Sequence, residues 1–355
     1  MKRVRPLIIA VVLAALALPA TASAGNEFAG IVANDVYSGK VAYRDKQFAA
    51  MQAAGVGIIR QTLDWASVEI APGNYDFSSF DTFVLQAARH NIRVLPIIFD
   101  PPRFDRPAGT NAKYTPFPKS NDDMARFATE AADRYGPGGV LWRSNPDVPD
   151  LAFTAYQIWN EPNLPVYSGG KPNAAAYVAM LRTVGAAIKA KQPGSEIVTA
   201  GLPDSRLSKP NVFKYVQQMY AAGAKGTFDT LGVNPYSPTA SNLISKLKKF
   251  RRIMDSHGDT AASIWVTELG WSDVGPKAAF RVGKSGQATR IRQAVAALKK
   301  NETTLTLRGF FYFAWKDGAV YKGGKDFWGL HTGLLDKKGK RKPAYAAFKK
   351  AVAAL

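Results

Sequence analysis

Residues 152–163 read AFTAYQIWNEPN. Phe153, Thr154, Tyr156, Ile158 and Trp159 are aromatic or β-branched and favour an extended, half-buried backbone. Asn160, Glu161 and Pro162 then stop the run, and an Ala- and Lys-rich amphipathic stretch follows at 174–191. A short apolar strand followed by a helix is one unit of a parallel α/β fold, and the same unit recurs along the chain.

Eight units can be counted. Strands are expected near 28–34, 56–62, 93–99, 152–159, 196–200, 230–234, 263–267 and 307–313, and helices near 43–54, 78–90, 122–135, 174–191, 212–222, 241–257, 287–300 and 343–353. Eight units in about 330 residues fit a closed (β/α)8 barrel, a TIM barrel, as a single domain. A doubly wound open sheet produces the same alternation, but no Gly-rich phosphate loop follows the first strand. In a barrel the loops after the strands build the active face, so the long irregular segments 100–120 and 274–285 are expected to wall a cleft.

The N-terminus narrows the setting. Lys2, Arg3 and Arg5 precede an apolar run from Leu7 to about Leu18, and Ala22-Ser23-Ala24 follows as a small-residue cleavage site. This is the pattern of a secretory signal peptide over 1–24, leaving 25–355 as the catalytic domain of an exported protein. No later stretch is apolar for long enough to span a membrane. The chain contains no cysteine, which excludes disulfides, a thiol nucleophile and a Cys-ligated metal. The formal net charge of +20 attracts polyanions. The lysines are scattered and carry no nucleic-acid-binding motif, so the bland reading is a solvated basic surface; the functional one is retention near anionic cell-wall polymers or a preference for an acidic polysaccharide.

Two acidic residues follow buried runs directly: Glu161 in YQIWNEPN and Glu268 in IWVTELGW. They lie 107 residues apart, three repeats of about 36, which puts them at the ends of strands four and seven. Long side chains projecting inward from those strands can approach to about 5–5.5 Å, the separation of a retaining glycosidase. A nearby anionic Glu268 would raise the pKa of Glu161 by like-charge repulsion, while Glu268 needs a cation to stay ionised. Arg60, in GIIRQTL, is placed to supply that charge, and Tyr236, in VNPY, to donate a phenolic hydrogen bond.

With Trp159-Asn160-Glu161-Pro162 and Thr267-Glu268-Leu269-Gly270-Trp271 in place, the chain resembles the clan A retaining glycoside hydrolases, which include families 5 and 39, over essentially its whole mature length. The resemblance implies Glu161 as acid/base, Glu268 as nucleophile, Arg60 and Tyr236 as partners of Glu268, Asn160 as the grip on the sugar 2-hydroxyl, and Trp315 as the aromatic floor beneath the reacting sugar. Trp65, Trp271 and Trp328 are further stacking candidates. The WASVEIAPGNYDF segment looks like the clan's second loop, in which Glu69 is expected to be structural or to line the loop. The reaction is hydrolysis of a β-linked polysaccharide or oligosaccharide without a cofactor or metal; a transglycosylase would use the same residues, and a non-catalytic carbohydrate-binding barrel is the alternative of a different class.

Overall fold

The computed structural model describes residues 26–320 and 324–355, so the expected signal peptide lies outside the described residues. Eight parallel strands form the ring: β1 Ala29–Val32, β2 Ile58–Asp64, β3 Arg93–Phe99, β4 Ala155–Ile158, β5 Glu196–Thr199, β6 Thr230–Asn234, β7 Ser263–Leu269 and β8 Leu307–Phe313. Each pairs with the next in parallel register, and β1 closes the ring by pairing Ala29 with Phe310 of β8. The outer helices are α1 Val41–Ala53, α2 Ser78–Arg89, α3 Asn121–Tyr135, α4 Ala174–Lys191, α5 Val212–Ala221, α6 Ala240–Ser256, α7 Gly283–Lys300 and α8 Pro343–Val352. Asn173, Asn211 and Thr239 begin their helices by accepting a backbone N–H three residues on, which fixes where the loops end. Among the described residues no helix is long and apolar enough to cross a membrane.

The expected strands are all present, with shifted ends. β1 stops at Val32 because Asn34–Tyr37 turns into a short helix, and β2 runs on to Asp64, which places Arg60 inside the ring rather than at its rim. β4 is only four residues long, because Phe153 donates its N–H to Tyr135 of α3 and Trp159 takes φ +74°. A small hairpin, Glu69–Ala71 with Asn74–Tyr75, follows β2.

Side chains alternate between two compartments, as the period of two in a strand requires. Val32, Ile58, Leu95, Ala155, Val198, Trp265 and Phe311 fill the ring's interior, and a much larger apolar shell packs strands against helices. Below the interior layer the floor is closed by charge: Arg93 meets Glu27 at 2.7 Å, and Arg308 bridges Glu27 and Glu196, each at 3.3 Å. Access to the interior is therefore from the other end, where the strands finish.

Trp265 is fully buried, lies 5.2 Å from Phe311 centroid to centroid and is the largest side chain of the interior layer. Trp265→Ala is expected to lower unfolding stability by about 3–5 kcal/mol, because the closed ring cannot collapse around the void; urea denaturation with an unchanged m-value checks this.

Candidate active site

Two local departures from ideal strand geometry aim the carboxylates. In β7, Trp265 points into the ring and Val266 out, so regular alternation would send Thr267 in and Glu268 out. The ladder with β8 is bulged: Val266 pairs with Phe310 but Leu269 with Tyr312, three residues against two. The extra residue turns Thr267 and Glu268 to the inside together, a re-aiming that bulges commonly perform next to active sites. After β4, Trp159 at φ +74° and Glu161 at φ +46° lie in the left-handed region. Trp159 thereby swings into the outer shell, where its indole N–H donates to the Tyr167 carbonyl at 2.8 Å and its ring meets Phe99 and Phe117. Such conformations cost on the order of 1 kcal/mol or more each for a residue with a Cβ, and cluster where geometry serves a site. Asn160 and Glu161 are left facing the mouth.

Arg60, only 2 % exposed, is the hub. Its Nη1 donates to Glu268 Oε1 at 2.7 Å, Nη2 to Asn160 Oδ1 at 2.8 Å and Nε to Gln157 Oε1 at 2.7 Å. The other oxygen of Glu268 accepts from the Tyr236 hydroxyl at 2.6 Å. Both oxygens of Glu268 are thus held by donors, one of them a buried cation, which fixes the side chain's position and orientation. Burial and the neighbouring negative charge of Glu268 push the Tyr236 hydroxyl pKa well above its ordinary value, so it remains a donor.

Glu161 is treated differently. Its Oε1 accepts from Asn234 Nδ2 at 2.8 Å, and that amide is oriented by the Thr267 hydroxyl, 2.7 Å from Asn234 Oδ1. Burial first, and the negative charge of Glu268 second, raise its pKa to about 8, against which the Asn234 hydrogen bond and Arg60 pull only partly. Glu161 is therefore protonated at neutral pH. Gly201 makes room for the orienting pair: a Cβ there would sit 2.5 Å from Asn234 Oδ1 and 2.6 Å from Thr267 Oγ1.

Of the six residues singled out from the sequence, Arg60, Asn160, Glu161, Tyr236 and Glu268 meet in this cluster. Trp315 does not, and its placement corrects the expectation of an aromatic floor: it is fully buried, with its indole N–H on Gln47 Oε1 at 2.9 Å and its ring against Tyr345 of α8. Trp65 and Trp271 are likewise core residues, the former stacked on Phe127 and hydrogen-bonded to Glu69, the latter donating to the Ser237 carbonyl. Glu69 also accepts the Gly73 N–H inside the hairpin, so its work is local architecture. The aromatic surface at the mouth comes from elsewhere. Phe313 at the end of β8, Phe280 from the 274–285 loop and Trp328 are partly exposed and surround Tyr236, with ring centroids 6.4, 6.1 and 5.0 Å away. Lys342, buried between Asp273 and Asp317 at 2.8 Å from each, ties together the loops after β7 and β8 that carry this wall. Asn234, Gln157 and Thr267 were not singled out; each is a polar residue at an inward strand position, and that alternation was the signal available. Among the described residues no group of three or more His, Asp and Glu side chains is arranged to hold a metal.

A polar cluster of this kind above a closed (β/α)8 ring defines a carbohydrate-processing catalytic core. Residues 152–337, more than half of the chain, match the family model described as the glycosyl hydrolase catalytic core, and the chain belongs to that family. A comparison with curated protein sequences returned no match. Among solved structures the chain is similar to a family 39 glycoside hydrolase from Bacteroides cellulosilyticus WH2, with TM-score 0.68 and 18 % identity over 93 % of this chain and 64 % of that one. It is also similar to a monomeric β-xylosidase from Caulobacter crescentus CB15, with TM-score 0.65 and 15 % identity over 93 % of this chain and 69 % of the other. A glucosidase from Croceicoccus marinus matches with TM-score 0.66 and 16 % identity over 93 % and 67 %. At these identities the likeness is one of fold, and the chain spans about 64 % of the length of the Bacteroides protein.

The electrostatics of Glu161 give two opposed expectations. Glu268→Gln removes a like charge and lowers the Glu161 pKa, whereas Asn234→Ala removes a donor to the ionised form and raises it. An infrared titration of the protonated-carboxyl band, comparing each variant with the native protein, reads both shifts.

Proposed function

We propose that this protein is a retaining β-glycosidase that works by double displacement, with Glu268 as nucleophile and Glu161 as acid/base. One observation carries the reading: the two carboxylates share a mouth but have opposite environments. Glu268 is gripped by a buried guanidinium at 2.7 Å and a phenol at 2.6 Å, while Glu161 has a single amide donor and a pKa raised to about 8. A carboxyl group raised in pKa beside one held by hydrogen-bond donors supports the assignment of acid and nucleophile.

In the first step Glu268 attacks the anomeric carbon as Glu161 gives its proton to the leaving oxygen, forming a glycosyl ester on Glu268. With that ester formed, the negative charge that helped keep Glu161 protonated is gone, so Glu161 becomes a better base at the moment a water must be deprotonated. The water then opens the ester and releases the sugar with its configuration retained. Asn160 spends its Oδ1 on Arg60, so its Nδ2 is the group free to donate to the sugar 2-hydroxyl. Phe313, Phe280 and Trp328 supply apolar surface for a pyranose face, the role first expected of Trp315. No step calls for a cofactor. The substrate class is a β-linked oligosaccharide or polysaccharide, in keeping with structural relatives described as a xylosidase and a glucosidase. The leader-like segment 1–24 supports export of residues 25–355 as the catalytic domain.

Removing the nucleophile is expected to cost about 10⁴-fold or more in kcat, and azide should rescue Glu268→Ala by forming a glycosyl azide of inverted configuration; an inverted azide from Glu161→Ala, in place of the retained one that opening of the Glu268 ester gives, would exchange the two roles. Glu161→Ala should lose about 10²–10⁴-fold on substrates with poor leaving groups and much less on activated aryl glycosides. Because the acid must be protonated, kcat/KM should fall on the alkaline side as the pH passes about 8, which a pH–rate profile checks.

A further inference from the structure

We propose that the outer face formed by α7 and α8 at the barrel floor is a second binding site, separate from the mouth, and that its ligand is an acidic polysaccharide built of uronic acids. The two helices together carry seven lysines and arginines and no Asp or Glu, in a chain whose overall ratio is 47 basic to 27 acidic residues. The cations converge on a groove of about 490 Å³ between the helices, rimmed by Arg292, Lys300 and Lys350 and floored by Val295, Ala351 and Leu355. Lys350 also borders an adjoining groove of about 470 Å³ that follows α8 back from Lys349 at its floor end to Arg341 just before its start. The two depressions therefore share an edge and make one extended track.

The helix dipoles account for part of this pattern, since Lys299, Lys300, Lys349 and Lys350 lie in the last turns, where cations are stabilised. They do not account for Arg292, two turns earlier, or for Arg341, which precedes α8. Lys299 is paired with Glu302 at 2.8 Å, whereas Arg292, Lys300, Lys349 and Lys350 make no ion pair among the described residues. An unbalanced cationic rim attracts a polyanion, and the apolar floor selects among polyanions. Small aliphatic side chains suit the C–H faces of pyranose rings, while carboxylates spaced along the polymer reach the rim. Single-stranded nucleic acid binds through exposed aromatic platforms, and the one aromatic here, Tyr345, is buried with the Arg341 guanidinium 4.4 Å above its ring.

The site's location gives it a use. Barrel helices run antiparallel to their strands, so α7 and α8 end at the floor: Val352 packs where a Cβ on Gly55 would project, and the Lys299 ammonium lies 5.4 Å from the Phe28 ring, just before β1. A polymer held there leaves the mouth, at the opposite end of the ring, open to a different chain of the same wall.

The test measures binding of the full chain to immobilised polygalacturonate at low salt, with neutral galactan and a single-stranded oligonucleotide as competitors. Wild type should bind, release as salt rises and be displaced by neither competitor. The triple variant Arg292→Glu, Lys300→Glu, Lys350→Glu should bind about tenfold more weakly or worse, with Lys350→Glu alone giving a smaller loss in the same direction should the triple variant fold poorly. The charge-preserving triple Arg292→Lys, Lys300→Arg, Lys350→Arg should bind as wild type does. Glu268→Gln should also bind normally, which keeps this outcome independent of the catalytic assignment. Undiminished binding after charge reversal overturns the proposal, as does equal competition by galactan or stronger competition by the oligonucleotide.

Discussion

Arg60 and Glu268 meet at 2.7 Å in a space nearly closed to water. Taking two charges out of solvent is unfavourable unless each finds further hydrogen bonds, and here both do: Gln157 and Asn160 accept from the guanidinium, and Tyr236 donates to the carboxylate. The pair therefore fastens β2, the end of β4, β7 and the turn after β6 to one another across the ring. Loss of either partner would strand a buried charge, a cost of about 3–5 kcal/mol in comparable cases. Each charge at the mouth is thereby held by named partners on other strands.

The same set of partners explains how two identical side chains come to differ. Glu161 makes no hydrogen bond with the cation; burial and the charge of Glu268 raise its pKa, and the Asn234 amide and the more distant Arg60 lower it only partly. Asn234 in turn owes its orientation to Thr267, and both need the missing Cβ of Gly201. The opposing pull on the Glu161 carboxyl is thus held in place by side chains of β6 and β7 and by a glycine just beyond β5.

The eight-unit pattern and the two glutamates could be read from the sequence because they depend on local rules: apolar runs of strand length, helical amphipathicity, and acids just beyond buried segments. Asn160 and Tyr236 could be read because each lies two residues beyond a strand end, and Arg60 because a cation within an apolar strand needs a buried partner. Trp315 is easily mistaken for the mouth aromatic because a single residue, Ala314, separates it from Phe313, and which of the two aromatics turns to the mouth depends on how the chain leaves β8. Asn234, Gln157 and Thr267 were passed over because a polar residue inside a strand looks the same whether it faces a packed layer or a catalytic pocket. Their importance lies in partners up to 97 positions away, such as Gln157 with Arg60, and one-dimensional patterns do not encode those meetings.

The bulge in β7 has a consequence for how such a chain can vary over evolutionary time. The direction of Glu268 is a matter of counting: one residue more than a flat ladder needs stands between Val266 and Leu269. Deleting Thr267 would restore a regular strand and keep nearly the whole composition, but leave room for only one inward side chain between Val266 and Leu269, so the pocket would lose the hydroxyl that orients Asn234. Substitutions in this stretch change how well the pocket fits, but a change of length changes which side chains form the pocket at all. The segments 100–120 and 274–285 carry no such count, so insertions and deletions that remodel the cleft can accumulate there while the strand keeps its number.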